Sequence, residues 1–210
     1  MSFMTYLYDL NMGIVERACL KSWRRELLKH VYGEVLEVGA GTGANIDHYS
    51  DQVTRLVLTE PDKHMRKALE RKVSNRGLKY IQVSDGTAQH IRAEDESFDC
   101  VVSSLVCGGS SILEAAVEEI KRVLKPGGKF IFLEHAAAAE GTLTRRWQDR
   151  INPIWRIMGW SLNPETEKAI ITVGFKMREI TRENVRRTLP ILGSTIRGIA
   201  VKKPNNPTKG

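Results

Sequence analysis

Apolar residues fall into short runs separated by stretches of helical spacing, and this rhythm sets the fold expectation. "EVLEVG" (34–39), "VTRLVLTE" (53–60), "LKYIQVS" (78–84), "FDCVVSSLV" (98–106) and "KFIFLEH" (129–135) each have the length and apolar content of a strand. The first lacks strict alternation, which suits a strand covered on both faces. Between the runs the period changes. Leu20, Trp23, Leu27 and Val31 recur at helical intervals within 10–32, and Gly33 stands where a C-terminal cap would stop that helix. A second helix is expected to open at the glycine-rich stretch from residue 39. "PDKHMRKALERKVS" (61–74) is a third, with Pro61 in its first turn, where a missing N–H costs nothing. "SILEAAVEEIKRVLK" (111–125) brings Ile112, Ala116, Ile120 and Val123 close to one stripe, and Pro126-Gly127-Gly128 then turns the chain into the fifth strand.

This alternation predicts an α/β fold, a Rossmann-like, doubly wound and mostly parallel sheet with helices on both faces. Residues 142–173 read as helical but interrupted by Pro153, Gly159 and Pro164. "GFKMREIT" (174–181) and "TIRGIAVKK" (195–203) then read as an antiparallel C-terminal strand pair, an ending not expected of a simple nicotinamide-binding domain. A chain of 210 residues, 41% apolar, holds one sizeable core, with no internal repeat and no second domain.

Composition narrows the setting. Cys19, Cys100 and Cys107 have unrelated spacings, which suggests neither a disulfide framework nor a zinc site, and points to a reducing, cytoplasmic compartment. No His/Cys/Asp cluster has metal-ligand spacing, so no metal is expected. No apolar run approaches the roughly 18 residues of a membrane span, and the first residues do not form a signal peptide. The net charge of +7 is uneven: residues 140–210 hold 14 Lys and Arg against six Asp and Glu. Such a field suits nucleic acid, an anionic membrane or a small anionic substrate, or simply a solvated surface. Trp23, among Arg24, Arg25 and Lys29, also offers a way to lay the first helix on an anionic membrane.

The candidate chemistry centres on "VLEVGAGTGAN" (35–45). Gly39, Gly41 and Ala44 satisfy the dinucleotide fingerprint G-x-G-x-x-G/A, while Gly39, Gly41 and Gly43 equally satisfy the G-x-G-x-G loop that holds S-adenosylmethionine. Glu60, 21 residues after Gly39, is placed to hold a ribose hydroxyl pair in either cofactor. Three further features separate the two. Glu37 lies two residues before the first glycine, where a dehydrogenase usually has an apolar residue. "DESFDCVV" (95–102) leads into the fourth strand, and "EEIKRVLKPGGKFIFLEH" (118–135) joins a helix to the fifth through Pro-Gly-Gly.

From residue 34 to 135 the ordered set resembles the class I S-adenosylmethionine-dependent methyltransferases. The run on through "WQDRINPIW" (147–155) is similar to the thiol S-methyltransferases of animal membranes, which share the Glu-His end of the fifth strand and carry an N-terminal hydrophobic anchor that is not expected here. Small bacterial phospholipid N-methyltransferases and, more distantly, quinone C-methyltransferases are further relatives by this pattern. The resemblance implies one domain over 1–203, with an N-terminal helical cap (1–33), a cofactor-binding core (34–135), an acceptor-side lid (136–173) and closing strands (174–203). The tail 204–210 has no apolar residue and is expected to be disordered.

The same resemblance implies S-adenosylmethionine as cofactor. Gly39, Ala40, Gly41, Gly43 and Asn45, with Glu37 beside them, would receive its methionine end, and Glu60 with Pro61 its ribose. At the adenine, either Thr87 and Ala88 or Asp85 would serve. Ser103, Ser104 and Leu105 would line the pocket, since ligands of open α/β sheets sit at the carboxyl ends of strands. His135 is the candidate base for a thiol acceptor, or else orients the loop that follows it. Tyr6, Tyr8, Trp147, Trp155 and Trp160 would form an apolar lid over a small-molecule or lipid acceptor, or simply pack between helices. Cys107 is read as a small buried residue.

"NPIW" (152–155) resembles the Asn-Pro-Pro-aromatic motif of nucleic-acid amino methyltransferases, but it follows the fifth strand instead of the fourth and lacks the second proline. A nucleic-acid acceptor is therefore not expected. A non-enzymatic cofactor-binding protein would be marked by a damaged glycine loop or a missing Glu60, and neither is seen; an oxidoreductase stays open as an alternative that tight NADH binding without S-adenosylmethionine binding would reveal.

Overall fold

A computed structural model describes residues 19–106, 110–157, 161–185 and 188–204. Seven strands form one sheet: β1 (Gly33–Val38), β2 (Val53–Thr59), β3 (Ile81–Ser84), β4 (Phe98–Ser104), β5 (Leu124–His135), β6 (Lys176–Asn184) and β7 (Ser194–Val201), in the order β3-β2-β1-β4-β5-β7-β6. β1 to β5 run parallel, and β7 pairs antiparallel with both β5 and β6. The helices are α1 (Lys21–Leu28), α2 (Lys63–Asn75), α3 (Ser110–Val123), α4 (Leu143–Ile157), α5 (Thr166–Thr172) and α6 (Pro190–Gly193). This is the doubly wound, mostly parallel topology expected from the alternation of runs, with its closing antiparallel pair.

The pleat divides the core in two. Leu36, Val38, Val101, Phe130 and Phe132 pack on one face with Leu113, Ala116 and Ile120 of α3 and Ala169 and Ile170 of α5. Val35, Cys100, Val102 and Ile131 point the other way, toward Leu28 of α1 and Leu69 of α2. Alternate side chains of a strand face opposite sides of a sheet, so β1, β4 and β5, covered on both, must be apolar at consecutive positions. That is why Val35-Leu36, Cys100-Val101-Val102 and Phe130-Ile131-Phe132-Leu133 are apolar at consecutive positions.

Four local expectations are corrected. The first helix does not run to Gly33: its regular part ends at Leu28, and Gly33 opens β1 with φ +71°, where a side chain would collide with the Asp99 carboxylate that accepts the Glu34 N–H. No α-helix starts at the glycine loop. Gly39, Gly41 and Gly43 all have positive φ (63°, 56° and 81°), which interrupts any helical run, and only a 3₁₀ turn at Ile46–His48 follows. The third helix starts after Asp62, whose carboxylate caps the N–H groups of His64 and Met65, so Pro61 lies outside it. Finally, Pro126-Gly127-Gly128 is a bulge within β5 and not a turn before it: Phe98 pairs with Leu124, yet Cys100 pairs with Lys129. The tail 205–210 and Gly159 lie outside the described residues.

Trp23 is also unlike its membrane-surface reading. It is half-buried against Leu20 and Leu133, and the Arg197 guanidinium covers its ring at 4.6 Å. Among the described residues no helix is long and apolar enough to cross a membrane.

Gly198 lies in β7 between two strands. A methyl added there would collide with the Glu179 carbonyl oxygen and come within 3.0 Å of the Phe132 ring. Gly198→Ala should destabilise the fold by about 2 kcal/mol, as overpacking against backbone does. A thermal melt followed by circular dichroism should record a midpoint several degrees lower; an unchanged midpoint would mean that β6 shifts freely.

Candidate functional site

The carboxyl ends of β1 to β5 converge on one edge of the sheet. Strand order reverses between β1 and β4, because β2 and β3 extend to one side and β4 and β5 to the other. The crevice at such a reversal is where open α/β sheets bind ligands. The glycine loop follows β1, Glu60 follows β2, Thr87 and Ala88 follow β3, Ser103 to Leu105 end β4, and Glu134 and His135 end β5.

Glu37, the penultimate residue of β1, lies under the glycine loop and is 2% exposed. Its Oε1 accepts from the Asn45 amide (2.9 Å) and its Oε2 from the Tyr49 hydroxyl (2.7 Å). Asn45, wholly buried, also donates to Ser104 Oγ (3.2 Å) and accepts from the Arg24 guanidinium (2.8 Å). One network therefore joins α1, β1, the end of the loop and β4. Burial pushes the Glu37 carboxyl up to about 7, against the opposing pull of the Tyr49 hydrogen bond, the Arg24 charge, the Asn45 amide and Lys72. The Tyr49 phenol, buried beside it, is raised well above its usual 10.

The loop itself is open toward the crevice. A Cβ on Gly41 would meet nothing within 4 Å, whereas one on Gly39 would strike Val106 and one on Gly43 would strike Ile46 and Leu69. Gly41 thus leaves a cradle that a ligand can fill, while its neighbours are glycine because the loop is seated on the protein. Glu60 is 6% exposed. Its Oε2 accepts from the Gly41 N–H (2.8 Å) and its Oε1 from the Asp62 N–H (2.9 Å). A carboxylate has about four acceptor positions, so two remain for a pair of hydroxyls. The residues present therefore fit the ribose and methionine portions of the expected cofactor.

After β3, Asp85 points to solvent in an ion pair with Arg92 (3.0 Å). Thr87 is half-buried in an isolated bridge with His90, and Ala88 is buried in the core cluster. Of the alternatives at the adenine position, Thr87 and Ala88 are thus the inward pair.

β4 and β5 are tied by Glu134, only 1% exposed, which accepts from the Ser103 hydroxyl and from the Val106 N–H (3.0 Å). Leu105, between them, has φ +59°, a conformation costly for a side-chain-bearing residue, and its N–H donates to the Leu133 carbonyl (2.7 Å). Ser103 is wholly buried. His135 is half-buried on the same strand face as Ile131 and Leu133, and burial lowers its imidazole below the usual 6.5, favouring the neutral ring. Its carbonyl accepts from Thr166 Oγ1 (3.0 Å).

Trp155 is half-buried, but Trp147 is 55% exposed and not folded inward as a lid residue would be. Tyr6, Tyr8, Cys107 and Trp160 lie outside the described residues. No group of three or more His, Cys, Asp or Glu able to hold a metal occurs among the described residues. The sequence reading missed Arg24, Tyr49 and Glu134 as parts of the site. Arg24 had a signal, since it shares one helical stripe with Leu20, Leu28 and Val31, where a cation demands a partner.

Comparison with known proteins decides between the two cofactors that the glycine loop admits. A methyltransferase domain model matches residues 36–132. A thiol S-methyltransferase of Homo sapiens is 33% identical over 173 residues, spanning 80% of this chain and 70% of that protein. The chain belongs to the class I S-adenosylmethionine-dependent methyltransferases. A phosphatidylethanolamine N-methyltransferase of Cereibacter sphaeroides is 32% identical to this methyltransferase over 141 residues, 65% of this chain and 67% of that protein. The fold also matches geranyl diphosphate C-methyltransferase of Streptomyces coelicolor, solved with Mg2+, geranyl diphosphate and S-adenosyl-L-homocysteine, at a TM-score of 0.69 with 11% identity, covering 87% of this chain and 79% of that one. The methyltransferase uses S-adenosylmethionine as its cofactor.

Glu37 generates a pH prediction. Its carboxyl titrates near 7 when folded and near 4.5 when unfolded, so the folded state holds the extra proton between those values, and stability falls as pH rises through that window. Glu37→Gln keeps an acceptor for Asn45 and an N–H for the Tyr49 oxygen while removing the titration. Relative to wild type, the variant should gain roughly 2–3 kcal/mol between pH 5 and pH 8 in urea unfolding. Parallel pH profiles for the two proteins would show that Glu37 is not a perturbed acid.

Proposed function

We propose that this methyltransferase transfers the methyl group to a small-molecule thiol. The observation that carries the reading is the identity with the human thiol S-methyltransferase across four-fifths of the chain. The Glu134-His135 end of β5 supports it, since burial lowers the His135 imidazole and so favours its neutral form.

Bound S-adenosylmethionine supplies an electrophilic methyl carbon on a sulfonium. The protein has to hold, orient and dehydrate the partners for an in-line displacement, so it needs no nucleophile of its own. The cradle at Gly41 and the two open acceptor positions of Glu60 fix the donor. His135 takes the proton of the acceptor thiol. The resulting thiolate forms a sulfur–carbon bond to the methyl as the bond from that carbon to the sulfonium breaks, leaving a methyl thioether and a neutral thioether. Thiols ionise near 8.5, so a base at neutral pH raises the reactive fraction. Phosphatidylethanolamine-type N-methylation is the second reading, supported by the bacterial relative.

The test is transfer of labelled methyl into separated pools of small thiols, phospholipid vesicles, quinone precursors, RNA and protein. Label is expected in the thiol pool and should be abolished by Glu60→Ala, which should also weaken S-adenosylmethionine binding by about tenfold or more, the loss of charge-assisted hydrogen bonds. Label confined to vesicles would overturn the thiol reading in favour of the lipid one.

His135→Ala should lower the rate at pH 7 by about a hundredfold, within the usual range for a positioned base. In wild type the rate should fall on the acid side, at a pH lower than an ordinary imidazole would set, because burial lowers the His135 ring. The variant should lose that limb and approach wild type above pH 8.5, where the thiol ionises unaided. A uniform loss at every pH would assign His135 to orienting the loop.

A further inference from the structure

The polarity of α4 is inverted. Its inward side is made of amides: Gln148 (1% exposed) accepts from the Ala138 N–H and donates to the Ile191 carbonyl, and Asn152 accepts from the Leu162 N–H and the Ser161 hydroxyl. Its outward side is apolar. Leu143, Trp147, Ile154 and Ile157 are 73%, 55%, 64% and 87% exposed. At 100° per residue these four fall within an arc of about 80°, and Arg146 and Arg150, both exposed, fall in or beside the same arc. A helix of 15 residues presents this stripe over about 22 Å. Folding buries apolar side chains wherever it can, so four large ones aligned outward over two buried amides mark a face meant for something other than water.

We propose that the outward face of α4 is a docking surface for an anionic lipid bilayer. Charge selects this occupant. The stripe is accompanied by arginines and no exposed carboxylate lies within its arc; Asp149, on the flank, is paired with Arg145. The residues from 140 onward carry +8. A second copy of the chain would bring the same arginines face to face, and an apolar protein partner gives no role to them. On a bilayer the four apolar side chains enter the headgroup and acyl boundary, while Arg146 and Arg150 extend to lipid phosphates. Gln148 ties the helix to Ala138, three residues past His135, so the docked face is anchored to the end of β5. The inference goes beyond the acceptor proposal and holds for either acceptor.

Sedimentation with vesicles tests it, using the full chain. Wild type should bind phosphatidylcholine vesicles containing 30% phosphatidylglycerol and not pure phosphatidylcholine, with binding weakened by salt. Ile154→Glu with Ile157→Glu, and separately Arg146→Gln with Arg150→Gln, should each reduce partitioning by about tenfold or more, since binding draws on both apolar burial and charge. Both should keep the wild-type thermal midpoint and methyl transfer to a soluble acceptor, because all four side chains are exposed. Equal binding to neutral vesicles, no binding, or binding unchanged in the variants would overturn the proposal. Concentration-dependent self-association abolished by Ile154→Glu with Ile157→Glu would overturn it in favour of a second copy. Vesicle binding is read without methyl transfer, so its failure is distinct from failure of the thiol reading.

Discussion

The site depends on a carboxyl group that the fold places where water cannot reach it. Glu37 stands next to last in β1 among buried apolar neighbours, and its two oxygens are satisfied by Asn45 and Tyr49, both beyond Gly43. Burying such a group without partners would cost several kcal/mol, so the chain after Gly43 must return to exactly where those donors are needed. The loop is therefore pinned at both ends: by β1 before it and by its own carboxyl-bound residues after it. Arg24 extends the constraint to α1. A loop of three left-handed glycines has no helix to stiffen it, and this network supplies the stiffness instead.

A second buried carboxylate does the corresponding work across the crevice. Glu134 reaches from β5 to the Val106 N–H and the Ser103 hydroxyl, and so holds the left-handed Leu105 in place. The two halves meet where the Val106 side chain rests against Gly39, which has no side chain to hold it off. Strain at Leu105 and close approach at Gly39 are thus parts of one contact between the ends of β1 and β4. The crevice is defined by that contact, with Glu60 on one side of it and His135 on the other. Groups that touch the ligands need a rigid surround, and here both walls are fixed by acids that do not themselves face the opening.

What was legible in the sequence follows from which effects are periodic. Five short apolar runs identified β1 to β5, most clearly at β1, β4 and β5, where cover on both faces makes consecutive positions apolar. The closing pair was visible from its two short runs, although β6 is mostly exposed and polar and only β7 is largely buried. Errors gathered where a single contact decides the geometry: the Asp99 carboxylate over Gly33, the Asp62 cap that displaces Pro61, the bulge at Pro126-Gly127-Gly128. Glu37 and Glu60 were named from their spacing to the glycines, but spacing cannot say that Glu60 already receives two backbone amides or that Asn45 faces inward. Glu134 was seen only as half of a Glu-His pair. Its partner residues lie some thirty positions away, and nothing local marks them.

The helix α4 shows the limit of periodicity from the other side. Its segment was read as helical, and the ordinary assumption turns the apolar face of a helix inward. The structure turns the amides inward instead, because Ala138 and Leu162 present N–H groups, and Ile191 a carbonyl, that only Gln148 and Asn152 can satisfy. Backbone polar groups left bare inside a fold cost more than apolar side chains left at its surface. The hydrogen-bond requirement of the segments leaving β5 and entering α5 thus decides which way α4 rolls. The outward apolar stripe is a consequence of that requirement, and the arginines beside it determine which kind of surface can cover it.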